Sequence, residues 1–178
     1  MFPPEAHLAP AGGPQADDTT YMYNDTLYGS RTITGNGIYL RHVWGTLVPG
    51  FFADPKPNHT AYATRWIYSS KPRTAQLYLE FQNYSRSESD LPPRQGTWDY
   101  KGSRAWLNGT EIQPPVWLNT NTKRTNELPL RNENCVSRPP IAIKLRKGWN
   151  KLVLKLPVGQ FTQTETRLVK WMFSATVI

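Results

Sequence analysis

Residues 141–156 read IAIKLRKGWNKLVLKL, and the alternation in this stretch decides the fold class. Ile141, Ile143 and Leu145 share one face of a first extended arm, and Leu152, Leu154 and Leu156 share one face of a second, with the chain folding back at Gly148. Lys144, Arg146, Lys151 and Lys155 take the opposite face. The pattern predicts a β-hairpin, apolar inward and basic outward. A lone hairpin is barely stable in water, so a second sheet has to cover the apolar side.

Working outward, the chain supplies more strands of the same kind. Ile38, Leu40, His42, Trp44 and Thr46 alternate with Tyr39, Arg41, Val43 and Leu47 before Pro49 and Gly50. TAYATRWIYS at 60–69 is rich in aromatic and β-branched residues. Ala75, Leu77, Leu79 and Phe81 form the cleanest period-two run, which predicts a half-buried antiparallel strand. Arg104 to Leu107 runs into Asn108-Gly109, the pair preferred by a type I′ hairpin turn, and Thr110, Glu111 and Ile112 return. At the far end Val169, Trp171, Phe173, Ala175 and Val177 share a face. No segment keeps helical spacing for three turns. The fold expected is all-β, an antiparallel β-sandwich of jelly-roll topology, with residues 1–20 a linker or disordered tail and 21–178 the sandwich module. Two polar excursions without periodicity, 84–103 and 113–140, are expected to be long loop insertions.

Composition narrows the function classes. The chain has 178 residues, the size of one domain, and 21 basic against 13 acidic residues give a net charge of +8. The basic residues are spread along the chain, as on solvated strand faces, and the basic face of 141–156 lacks interleaved exposed aromatics, so no nucleic-acid partner is expected. Cys135 is the single cysteine, which excludes an intrachain disulfide and a cysteine-based zinc site, and His7, His42 and His59 lie far apart. No metal and no cofactor are expected. The N-terminal residues lack a basic region followed by an apolar one, and no apolar run reaches the ~18 residues of a membrane span, so none is expected. Glu80, Glu88, Asp90, Asp99, Glu111, Glu127 and Glu133 form no recognisable catalytic pairing, and no GxSxG or Gly-rich phosphate loop occurs. Of the four Asn-x-Ser/Thr triplets, at Asn24, Asn58, Asn83 and Asn108, the last is better explained by its turn.

Seven tryptophans and nine tyrosines in a chain of this size ask for a reason. An exposed aromatic face in a loop stacks on the apolar face of a sugar ring. Trp44, Trp66, Trp106 and Trp171 sit in strands and are expected to pack inside. Trp98 and Trp117 sit in the polar excursions beside Asp99, Tyr100 and Pro115, where core and contact roles are equally open, and Trp149 after its turn is expected to cover one end of the sandwich. The two excursions are the expected contact surface, with Arg86, Trp98, Tyr100, Trp117 and Asn134 as its residues.

WLNG at 106–109 followed by LRKGWNKLVLKL at 145–156 resembles the galactose-binding-like β-sandwich modules attached to bacterial glycosidases. Adding YLRHVWGTLVPGFF (39–52), PNHTAYA (57–63), FQNYSRSESDLPP (81–93), WDYKGSRAWLNGTEIQPPVW (98–117), RNENC (131–135) and KGWNKLVLKLPVG (147–159), the chain resembles, over roughly 21–178, the region that follows the catalytic barrel in certain bacterial β-N-acetylhexosaminidases. The resemblance implies a non-catalytic accessory module, with a glycan or the parent's catalytic domain as partner and a periplasmic or cell-surface parent. That family's chemistry uses an adjacent Asp-Glu pair on a TIM barrel, with the substrate's acetamido group as nucleophile. This chain has no Asp-Glu dipeptide and lacks the ~200 residues of a barrel, so no catalytic residue carries over and a fragment inactive by itself is expected. The alternative is a free-standing lectin-like carbohydrate-binding protein.

Overall fold

The fold was obtained as a computed structural model, which describes residues 20–29, 31–35, 37–41, 51–52, 58–82, 95–99, 101–116, 139–158 and 171–178. The first two strands, β1 (Thr20–Tyr23) and β2 (Thr26–Gly29), pair with each other around Asn24-Asp25. Both turn residues are left-handed, φ 47° and 57°, which is the type I′ geometry that Asn and Asp tolerate.

Eight further strands make the sandwich: β3 (Gly37–Arg41), β4 (Thr60–Ser69), β5 (Arg73–Gln82), β6 (Arg104–Leu107), β7 (Thr110–Glu111), β8 (Ile141–Leu145), β9 (Gly148–Pro157) and β10 (Trp171–Val177). One sheet has the order β3-β10-β5-β8 and the other β4-β9-β6-β7, with every pairing antiparallel. Apart from β6 and β7, successive strands alternate between the sheets, which is the jelly-roll order. The chain is therefore an all-β antiparallel sandwich. Its core is continuous between the sheets: Leu77, Leu79, Ile143 and Leu145 on one side meet Ala105, Leu152, Leu154 and Leu156 on the other. The terminal run is no edge, since β10 lies between β3 and β5 and buries Trp171 and Phe173.

The stretch 141–156 departs from the hairpin expected of it. β8 pairs with β5, whereas β9 pairs with β4 and β6 in the opposite sheet. Period-two alternation specifies which residues face the core but says nothing about the partner strand, and here the two arms face each other across that core. Gly148, at φ +90°, opens β9 in a conformation costly for a residue with a Cβ. The corner is held by Asn150, which is fully buried. Its Oδ1 accepts from the Asn108 Nδ2 and the Arg146 amide, each at 2.8 Å, and its Nδ2 donates to the carbonyls of Arg146 at 2.9 Å, Gly148 at 3.1 Å and Ile67 at 3.4 Å. Asn108 completes the clamp, its Oδ1 accepting from the Lys151 amide at 2.9 Å. The WLNG and KGWN motifs thus meet in one hydrogen-bonded joint. Asn108-Gly109 has the type I′ turn expected, with φ 53° and 85°.

Strand register sorts the connections by end. Ser69 pairs with Gly148, Arg73 with Leu145 and Leu107 with Leu152, so the short turns 70–72, 108–109 and 146–147 share one end of the sandwich. Thr60 pairs with Pro157, Arg104 with Lys155 and Leu77 with Ile141, so the connections 42–59, 83–103, 112–140 and 158–170 all leave and return at the other. The edges β3 and β4 flank an open seam of about 300 Å³ lined by Ile33, Ile38, Ala63, Arg65, Leu154 and Phe173. Arg65 puts a charge on the core-facing side of an edge strand, a device that discourages edge-to-edge pairing with other chains.

Candidate functional site: the aromatic and cationic face of the second sheet

The outward face of β4-β9-β6-β7 gathers aromatic rings and cations that are far apart in sequence. Alternation puts Tyr62, Thr64, Trp66 and Tyr68 on this face of β4, and Trp149, Lys151, Val153 and Lys155 on this face of β9. Register pairs them rung by rung: Tyr68 with Trp149, Trp66 with Lys151, Thr64 with Val153, Tyr62 with Lys155. From β6 come Arg104 and Trp106, opposite Lys155 and Val153. Glu111 of β7 stands opposite Trp106.

Most of these rings are already covered by a cation. The Lys151 Nζ lies 5.2 Å from the Trp66 ring centre, the Lys155 Nζ 6.0 Å from that of Tyr62, and the Arg104 guanidinium 5.1 Å from that of Trp106. Such pairs contribute about 0.5–1 kcal/mol each where exposed. The centre of the face is closed, with Val153 1% and Lys151 4% exposed. The end rung is different. Tyr68 is 60% and Trp149 44% exposed, their rings edge to face at 5.3 Å. Trp149 therefore does not cover an end of the sandwich but stands open beside the short turns. The basic face of β9 is interleaved with aromatics supplied by β4 and β6, most of them covered by cations, with Tyr68 the exposed one.

The Glu111 carboxyl on this face is held by Arg104. The Arg104 Nε donates to its Oε1 at 2.9 Å and the Arg104 Nη2 to its Oε2 at 2.5 Å, and these hydrogen bonds outweigh the opposing effect of burial and, helped by the charge attraction, hold the carboxyl below its ordinary value of 4.5. A lowered folded value means that the pair's contribution is present above pH 4.5 and is lost as the pH falls through that lower value. The groups are half exposed, so the contribution is screened to about 0.5 kcal/mol. We expect Glu111→Gln to lower the thermal midpoint slightly at pH 7, with the gap to the parent chain closing as the pH falls through the lowered Glu111 value; a constant gap would contradict this.

Of the residues expected at the contact surface, the structure describes Trp98. It is 7% exposed, packs edge to face on Phe81 at 5.3 Å and donates from Nε1 to the Ile112 carbonyl at 3.3 Å. Trp98 is thus a core residue that pins the end of the 83–103 connection, and it presents no open ring. Behind it the Asp99 carboxylate accepts from the Lys101 and Ser103 amides and the Ser103 hydroxyl, and the Lys101 Nζ donates to the Val158 carbonyl. Arg86, Tyr100, Trp117 and Asn134 lie outside the described residues. They fall in connections that leave from the same end of the sandwich. The residues missed in the sequence, Tyr68 with Trp149 and the cations around them, belong to strands and short turns.

Among the described residues no group of His, Cys, Asp and Glu is placed to hold a metal ion, and no helix is long and apolar enough to cross a membrane. Comparison with family models, with curated proteins and with solved structures returned no match.

Proposed function

We propose that the chain is a non-catalytic accessory β-sandwich module of a β-N-acetylhexosaminidase-type glycosidase, galactose-binding-like in kind, that contacts glycan through the outer face of its second sheet. The observation that carries the glycan contact is the open Tyr68–Trp149 pair, the one rung of that face whose rings are not under a cation of the same sheet. Amphipathic rings exposed on a rigid strand suit the apolar face of a pyranose, since little entropy is lost on contact. The parent enzyme enters through the resemblance of the WLNG and KGWNKLVLKL segments, and docking on its catalytic domain through the long connections is the second contact of this reading. Two of the described acids support a structural role: Asp99 organises a turn and Glu111 is held by Arg104.

The test is hydrolysis of a chromogenic N-acetylglucosaminide by the purified chain. No turnover is expected. Turnover that disappears with Glu111→Gln or Asp99→Asn would overturn the accessory reading in favour of a complete enzyme.

A further inference from the structure

Among the described residues, the short turns and strand ends at the Tyr68–Trp149 end of the sandwich carry one sign of charge. Residues 66–76, 105–110 and 142–152, which form the short turns and the strand ends beside them, include Lys71, Arg73, Lys144, Arg146, Lys147 and Lys151 and no Asp or Glu. Lys71 and Lys147 sit in the two turns joined by the Ser69–Gly148 pairing, directly flanking the aromatic rung, and both are exposed. Arg146 reaches the neighbouring turn, its guanidinium donating to the Asn108 carbonyl at 3.4 Å. The Asn150 joint holds the 108–109 and 146–147 turns against one another, so Arg146 and Lys147 are displayed on a fixed corner.

From this juxtaposition of an open aromatic pair with an acid-free basic corner we infer that the module selects an acidic glycan, one sugar ring lying on Trp149 and its carboxylate or sulfate substituents reaching Lys71, Lys147 and Arg146. The inference rests on the glycan contact proposed above and specifies its ligand. Charge complementarity decides the sign: a neutral sugar would use the ring and leave the cations idle, whereas an anion in reach of several of them gains from each. A single-stranded nucleic acid also combines stacking with negative charge, but it is held by several bases stacked in succession. Here Trp66, Tyr62 and Trp106 lie under their own cations, which leaves one open rung. A single ring position with anionic substituents around it fits a sugar acid.

The experiment is calorimetric titration of the 178-residue chain at ~50 mM and ~200 mM salt with four probes: an oligogalacturonide carrying carboxylates, a heparin-derived oligosaccharide carrying sulfates, neutral chitohexaose, and oligo-dT. At least one acidic oligosaccharide is expected to bind about tenfold or more tighter than chitohexaose at the lower salt, and to lose most of that advantage at the higher. Which of the two binds identifies the anionic group. Lys71→Gln with Lys147→Gln removes the advantage and leaves chitohexaose binding unchanged; Trp149→Ala weakens every oligosaccharide, with Trp149→Phe retaining most of the affinity. Chitohexaose binding as tightly as both acidic probes, or an unaltered preference in the double lysine variant, overturns the selection of acidic glycan while leaving the glycan contact in place. Absence of binding to all three oligosaccharides by the folded chain overturns the contact as well. Oligo-dT binding more tightly than either acidic oligosaccharide overturns the inference in favour of nucleic acid.

Discussion

Replacing Asn150 by alanine is expected to destabilise the chain by about 3–5 kcal/mol, because it strands several buried polar groups at once. The Asn108 amide and the Arg146 N–H lose their acceptor, and the Arg146, Gly148 and Ile67 carbonyls lose their donor, around a side chain that has no exposed surface. Each buried group left unpaired costs about 1–3 kcal/mol, and the sum is less than additive because the corner relaxes. Asn150→Asp separates hydrogen bonding from volume. It keeps the size and one acceptor but turns an anionic oxygen toward three carbonyls, so it is expected to cost at least as much at pH 7. Chemical denaturation measures both. A change under about 1 kcal/mol for either would show that the corner does not depend on the amide.

The second large effect is Leu77→Ala. Leu77 is fully buried on β5, with Val177 of β10 on one side and Ile141 of β8 on the other, so truncation opens a cavity at the middle of a sheet. Leu→Ala at such sites costs about 3–5 kcal/mol, a large share of the ~5–15 kcal/mol that holds a domain together. The thermal midpoint is expected to fall on the order of 10 °C. Leu77→Ile, which keeps the volume, should cost less than about 1.5 kcal/mol. Equal losses for the two variants would mean that side-chain shape, and not the cavity, governs the site.

Local alternation made much of this fold legible. TAYATRWIYS became β4 over its whole length, the 74–82 run became β5, and Asn108-Gly109 made the turn its residue types call for. The partners of a strand are not encoded locally, which is why IAIKLRKGWNKLVLKL reads as a hairpin and folds as a corner between sheets. The same limit hid the candidate site. Trp66 and Lys151 are neighbours only through register, and so are Tyr68 and Trp149, so neither pairing could be read before the sheet order was known. For Trp98, where core and contact roles are equally open from the sequence, the structure gives the core role, its ring buried and its Nε1 donating to the Ile112 carbonyl. One missed signal was readable. Asn24-Asp25 between Thr20–Tyr23 and Thr26–Gly29 is a type I′ turn pair, and Asn24, Asn58 and Asn108 all adopt positive φ, 47°, 61° and 53°, so in three of the four Asn-x-Ser/Thr triplets the asparagine serves the backbone.

The most direct test of the glycan contact is the intrinsic fluorescence of the chain titrated with an oligosaccharide that it binds, compared with that of Trp149→Ala and Tyr68→Ala. Saturable change in the parent chain, weakened about tenfold or more in both variants with thermal midpoints unchanged, is the predicted result, a loss of about 1.4 kcal/mol or more of binding free energy. Binding that survives both substitutions at full affinity would contradict the account and move the contact to the end of the sandwich from which the long connections leave the strands.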